Sequence, residues 1–181
     1  MKTRLKTIAI CLLISLTALF TQKAQAQVTA GIGLAYGSKI STAGINITGQ
    51  IYITENIAVA PAFTYYFPST TGIILGYKRK WYEVNLDANY YPNLNILDGK
   101  LKTYGLAGVN YAIISYPNYV YGFFGNTVNN NNTSSRFGAN IGAGADFDMG
   151  KKITPFAQLK YTIGFGSHNQ AQIAAGIRFK F

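Results

Sequence analysis

The chain has 181 residues, 49% of them apolar and only 12% charged, about half the roughly 25% of an ordinary soluble domain. Its 14 tyrosines, 11 phenylalanines and 19 glycines without a repeat period exclude a disordered chain and collagen, and a single cysteine excludes a disulfide or zinc scaffold. Sixteen basic against six acidic residues give a formal charge of +10, in a length that suits one domain.

Lys2, Arg4 and Lys6 precede an apolar run over 8–20, and Ala24-Gln25-Ala26 supplies a small-x-small cleavage site, the three parts of a secretory signal peptide. The run is shorter than the roughly 20 residues a helix needs to cross a bilayer. Cys11 lies inside it behind Ile10, where a lipoprotein signal has a small residue, so no lipid anchor is expected. The sequence therefore divides into a signal peptide, 1–26, and one domain, 27–181. Removing the leader takes four basic residues and the cysteine, lowering the charge to +6. No run of about 20 apolar residues follows.

From residue 28 onward apolar side chains recur at every second position, the period of a strand. In the first segment Val28, Ala30, Ile32, Leu34 and Tyr36 share one face. In the second, Ile45, Ile47, Gly49, Ile51 and Ile53 oppose Asn46, Thr48, Gln50 and Tyr52. Ile57, Val59, Pro61, Phe63, Tyr65 and Phe67 form the third, and Tyr82, Val84, Leu86, Ala88 and Tyr90 the fourth, opposite Glu83, Asn85, Asp87 and Asn89. The fifth, 102–114, is apolar or small on both faces; Gly105, Ala107, Val109, Tyr111 and Ile113 are assigned to the apolar side because Lys102 and Asn110 then fall opposite. Phe137, Ala139, Ile141, Ala143, Ala145 and Phe147 mark the sixth, with Arg136, Asn140, Asp146 and Asp148 across from them. The seventh carries Pro155, Ala157, Leu159, Tyr161, Ile163 and Phe165, and the eighth Ala171, Ile173, Ala175, Ile177, Phe179 and Phe181. Connections at 68–80 and 115–135 are long and those at 54–56 and 149–152 tight, while 92–101 is long for the tight side.

Eight strands of about ten residues have the length and number of a small closed barrel that crosses a bilayer. Charge decides which face is outside. The polar face is mostly Gly, Ala, Thr and Asn, too bare to keep a barrel dispersed in water, whereas it suits an interior. The fold expected is all-β: an eight-stranded antiparallel up-and-down transmembrane β-barrel behind a cleaved leader, its termini periplasmic and its long loops outside the cell. Tyr36, Tyr65, Phe67, Trp81, Tyr82, Tyr90, Phe165 and Phe179 fall near strand ends, where interfacial aromatic girdles are expected.

The chain ends Ala175-Gly176-Ile177-Arg178-Phe179-Lys180-Phe181, with apolar residues at the last, third-last and fifth-last positions. With the leader and the eight segments, this pattern resembles the small bacterial outer-membrane barrels of the OmpA/OmpX-like superfamily, in the Tyr- and Asn-rich style of Bacteroidota. The resemblance implies outer-membrane localisation and recognition of Ile177, Phe179 and Phe181 by the barrel-assembly machinery. It also leads us to expect no peptidoglycan-binding domain, since nothing follows Phe181.

Several residues invite a functional reading. Glu83, Asp87, Asp146 and Asp148, with Lys160 and Arg178 and further basic residues Arg136 and Lys180, form a candidate charge network in the lumen, either a polar track or a packed plug; a buried charge has to be paired, which favours the plug. Lys78-Arg79-Lys80 at the outer end of the fourth strand is a candidate contact for lipopolysaccharide phosphates. The aromatic and Asn-rich stretch 117–135 is a candidate surface-ligand site, a cover for the barrel mouth, or an extension of strands five and six. His168 tempts a lipid-hydrolase reading, but Gln170 stands where a serine would be needed and no acid is near to orient the imidazole, so no catalytic residue, cofactor or metal is expected. Nucleic acid is not an expected partner of an exported chain with so modest a charge. The sequence thus points to a non-enzymatic membrane barrel with a structural or surface-interaction role. The alternatives are a narrow path for small or apolar solutes, as in OmpW-type barrels, and, further off, a lipid-modifying enzyme.

Overall fold

Each alternating segment forms a strand: β1 (Val28–Gly37), β2 (Thr42–Tyr52), β3 (Ile57–Thr71), β4 (Tyr77–Tyr90), β5 (Leu101–Asn118), β6 (Asn130–Phe147), β7 (Ile153–Gly164) and β8 (Gln170–Lys180). They pair antiparallel in sequence order, and β1 pairs with β8 from Thr29↔Lys180 to Gly37↔Gln172, closing the barrel. The computed structural model describes residues 27–71, 77–118, 130–150, 152–165 and 169–181. Gln27 and Phe181 lie at one end, the termini end, with the 53–56 and 91–100 connections and the turn that follows β6 at Asp148; the other is the loop end.

The pleat sends successive side chains to opposite faces. Ile32, Leu34, Ile47, Leu86, Val109, Ile141, Leu159 and Ile173 are all exposed on the outside, Leu34 by 66%, while Thr29, Asn46, Gln50, Thr64, Asn85, Asn140 and Gln172 are buried inside. The ambiguous fifth strand follows the expected facing, with Val109 exposed and Leu106, Asn110, Ala112 and Ile114 buried. Among the aromatics expected at the rim, Trp81 is the exception. It shares the inward parity of Glu83 and is buried, its indole N–H satisfied within the lumen.

Two ribbons reach further than the hydropathy pattern. β3 and β4 pair out to Thr71↔Tyr77, beyond an irregularity between Tyr66 and Ser69, and β5 and β6 pair out to Asn118↔Asn130. Alternation records which face is covered, whereas ladder hydrogen bonds need only extended backbone. Where a ribbon rises beyond the barrel neither face demands apolar residues, so strand continues through sequence that reads as loop.

Turns at the termini end use side chains and left-handed residues. Thr54 Oγ1 accepts the Ile57 N–H at 3.0 Å, and Gly150, with φ 67°, turns β6 into β7 while donating to Asp148 Oδ1 at 3.0 Å.

Candidate functional site

The inward side chains fill the lumen in three tiers. At mid-height Asp87 accepts hydrogen bonds from Lys160 Nζ at 3.3 Å and Asn140 Nδ2 at 2.7 Å. Lys160 and Asp87 are 1% and 4% exposed, and they stand on β7 and β4, so the pair spans the lumen. Asn140 Nδ2 also donates to Asn85 Oδ1, which accepts as well from Asn110 Nδ2 at 2.8 Å, and Asn140 Oδ1 accepts a hydrogen bond from the Thr162 hydroxyl at 2.8 Å.

Toward the loop end, Glu83 accepts from Trp81 Nε1 at 3.0 Å, Gln170 Nε2 at 2.7 Å and the Tyr66 hydroxyl at 3.4 Å. All three donors are neutral. Gln172 Nε2 donates to the same Tyr66 hydroxyl at 2.6 Å. Above them Ile40, Tyr66, Trp81, Ala112 and Ile114 close the mouth with an apolar cluster.

Toward the termini, Arg178 pairs with Asp146 and donates to the Tyr104 hydroxyl at 3.2 Å, its guanidinium carbon 4.0 Å from the centre of the Phe156 ring. Asp146 also accepts from Tyr91 at 2.8 Å, and Tyr91 accepts from Gln50 at 2.7 Å. Tyr52, Tyr91 and Tyr104 form a ladder with ring centres 5.6 and 5.0 Å apart. Asp148 stands apart from these residues. β6 ends at Phe147, so Asp148 sits at the rim, 2.8 Å from Lys180 and 3.7 Å from Lys102, and the Lys180 hydrogen bond holds its carboxyl below the ordinary value. It belongs to the termini-end rim, bordering but not joining the buried pairs with which its parity grouped it.

Of the other residues singled out in the sequence, Lys78 and Arg79 pair with Thr70 and Ser69 in the raised β3–β4 ribbon, and Lys80 is exposed. Ile177 and Phe179 face outward on β8, and Phe181 is exposed with its N–H donating to Val28 O at 3.0 Å. The 117–135 stretch is strand at both ends; its aromatics Tyr119, Tyr121, Phe123 and Phe124 lie outside the described residues, as do His168 and residues 1–26, the segment expected to be a signal peptide.

Sequence reasoning passed over the termini-end face of the barrel. Its one signal was the length of the 92–101 connection. That segment folds as a small hairpin: Ile96 bridges Leu101, Lys100 N–H donates to Leu97 O at 3.1 Å, and Leu97, Asp98 and Gly99 turn with φ of 50°, 54° and 76°. Between it and the 53–56 turn runs an open groove of about 410 Å³, lined by Tyr52, Glu55, Asn56, Tyr91, Asn93 and Asn95 among others. Lys102 lines it too, and Lys102 and Tyr52 also line a smaller hollow of about 20 Å³ that penetrates toward Arg178.

No family model and no curated protein matches the chain. Solved structures do. The N-terminal β-barrel domain of Pseudomonas aeruginosa OprF aligns over 86% of this chain and 97% of its own with a TM-score of 0.62 at 17% identity. The fold is that of the small outer-membrane β-barrels. A major outer-membrane protein of Thermus thermophilus aligns over 87% of this chain and all of its own (TM-score 0.63, 10% identity), and Ail, the attachment invasion locus protein of Yersinia pestis, over 86% and 99% (TM-score 0.59, 16% identity). Against sequences so different, what this outer-membrane-type barrel shares with them is strand number, order and closure.

Proposed function

We propose that this protein is an integral β-barrel of the bacterial outer membrane, exported behind its 1–26 leader, with a structural and surface-binding role and no catalytic or wide conducting one. The observation that carries this reading is the belt of exposed Ile, Leu, Val and Phe that runs around the closed sheet. Water-soluble monomers rarely expose contiguous apolar patches beyond a few hundred Å², whereas a closed sheet with all its backbone paired is one of the two structures that hydrocarbon tolerates. Tyr36, Tyr65, Tyr82 and Phe165 toward the loop end, and Tyr90, Phe147 and Phe179 toward the other, suit the two interfaces. The outer-membrane origin of the structural neighbours supports the same location. Ile177, Phe179 and Phe181 would then serve the assembly machinery.

With the termini in the periplasm, the raised β3–β4 and β5–β6 ribbons point away from the cell. Charge is segregated along that axis. The loop-end segments 37–42, 67–80, 115–136 and 164–170 hold Lys39, Lys78, Arg79, Lys80 and Arg136 and no Asp or Glu. This acid-free basic end suits phosphate or sulfate groups such as those of lipopolysaccharide; a structure of the neighbour Ail is a complex with the heparin analogue sucrose octasulfate. The interior argues against a wide pore, since its three tiers meet across the lumen and Trp81 and Ile114 cap it.

The test is to refold 27–181 into phospholipid. Slower gel migration after boiling and silence in a planar bilayer are expected. Unchanged migration would overturn the membrane reading, and stepwise ion conductance would overturn the plug.

A further inference from the structure

We infer that the groove and hollow at the termini end together form a binding site for an acidic saccharide, a pyranose-sized polyhydroxylated body carrying a carboxylate. This inference rests on the membrane-barrel reading, which turns that end to the periplasm.

At about 410 Å³ the groove lies within the roughly 300–1,000 Å³ range of small-molecule sites. Its lining combines tyrosine rings with the amides of Asn56, Asn93 and Asn95 and the carboxylate of Glu55, an apolar face beside groups that accept and donate to hydroxyls and acetamido N–H. The wall is preorganised. The 92–100 hairpin is bridged at Ile96↔Leu101 and tied to its surroundings by Tyr91 N–H to Asn56 O at 2.7 Å and Asp148 N–H to Lys100 O at 2.7 Å. Two non-glycine residues in left-handed conformation, Leu97 and Asp98, form its tip, a strain that persists where the surroundings dictate the shape.

The adjoining hollow supplies the anion subsite. Arg178, Lys180 and Lys102 line it against Asp146 and Asp148, leaving one cation in excess. Asp146 is engaged by Arg178 and Tyr91, and Asp148 by Lys180, whereas Lys102 stands 3.7 Å from Asp148, beyond hydrogen-bond distance, with a side chain 56% exposed. Two further groups of the lining are buried without a hydrogen-bond partner: the Thr154 hydroxyl, in a residue 5% exposed, and Nε of Arg178, 1% exposed. Buried polar atoms are nearly always satisfied, and the two residues that carry these donors border a space of about one water's size. A carboxylate at the inner edge of the groove would meet Lys102 directly, with the Arg178 guanidinium and the Thr154 hydroxyl behind it. Because Lys102 and Tyr52 border both spaces, one ligand can occupy both.

The experiment uses the refolded 27–181 barrel in neutral detergent, titrated with N-acetylmuramic acid, N-acetylglucosamine and inorganic phosphate while backbone amide shifts are followed by NMR. The expected result is saturable binding of N-acetylmuramic acid, with shifts confined to 52–56, 91–102 and 152–154, at least fivefold weaker binding of N-acetylglucosamine, and at least fivefold loss of the acid's affinity in Lys102→Ala. Asn95→Ala, in the hairpin wall, gives a second variant, with a loss expected for both sugars. The inference is overturned if the wild-type barrel shows no saturable binding, if both sugars bind equally, if phosphate alone binds as tightly as the sugar acid, or if phosphatidylglycerol added to the micelle displaces the sugar and so identifies a lipid headgroup as occupant. Gel migration of the same sample separates the two readings. A heat-modifiable barrel that binds nothing defeats only this inference, whereas an unmodifiable one defeats both.

Discussion

At the residue scale, the lumen shows how charge can be buried without being wasted. Lys160 and Asp87 meet 3.3 Å apart with almost no exposure, and Asn140 supplies Asp87 with a second donor. Removing one partner strands the other in a low-dielectric space, which typically costs about 3–5 kcal/mol, whereas replacing both with neutral groups of similar volume is often close to neutral. Lys160→Ala should therefore destabilise the barrel by about 3–5 kcal/mol in lipid, and Lys160→Met with Asp87→Asn should recover most of that. Urea unfolding followed by the single tryptophan, Trp81, reads both variants; equal losses in the single and double changes would show that packing, not charge, sets the cost. Glu83 contrasts with Asp87. The sequence pairs it by sign with a cation, yet its hydrogen-bond donors are neutral side chains. Sign alone could not reveal that, because strands four and seven meet only across the lumen, at a height set by strand stagger.

At the element scale, facing was legible from alternation even in β5, where Asn110 and Lys102 alone settled the parity. Strand ends were not, because in the β3–β4 and β5–β6 ribbons neither side is covered and composition stops recording the backbone. Two residues depart for other reasons: Asp148 lies just past the end of β6 at the termini-end rim, and Trp81 keeps the inward parity of Glu83 although it stands near a strand end. Asp148 caps the β6–β7 turn, bonding the Gly150 N–H and Lys180, and its carboxyl is held below the ordinary value of 3.8 chiefly by Lys180. A carboxylate held low in the folded state binds its proton more readily when unfolded. Its stabilisation is complete above pH 3.8 and drains away as the pH falls below that toward the folded value. Asp148→Asn should flatten the acid limb of stability below about pH 4, by a modest amount because this rim site is screened by water. An unchanged acid limb would assign the dependence to other carboxylates. Closure makes a second demand on the strands. A Cβ at Gly176 would collide with the carbonyl oxygen of Ile32 across the β1–β8 seam, while one at Gly105 meets nothing within 4 Å. Gly176→Ala should lower folding yield in lipid and Gly105→Ala should not; equal yields would relieve the seam of that constraint.

At the scale of the whole molecule, the low charge density of the sequence and the apolar exterior of the barrel are one fact seen twice, and they make a graded prediction. If hydrocarbon surrounds the belt, a cation introduced on its outer face costs according to depth, about 2–4 kcal/mol at the midplane and about 0–1 near an interface. Val109, 57% exposed, pairs with Leu86 and Ala139 midway along the barrel, whereas Phe165, 70% exposed, stands just past the end of β7. Val109→Arg should therefore destabilise the refolded barrel by about 2–4 kcal/mol in phospholipid, and Phe165→Arg by no more than about 1. A barrel whose exposed face met water would show no such gradient, because an arginine on an exposed strand position there is nearly free and would improve dispersion. The two substitutions differ little in exposure, so burial within the protein cannot account for a difference between them; only the medium outside can. Equal, small effects at both sites would mean that water bathes the belt, and the membrane reading would fall with them.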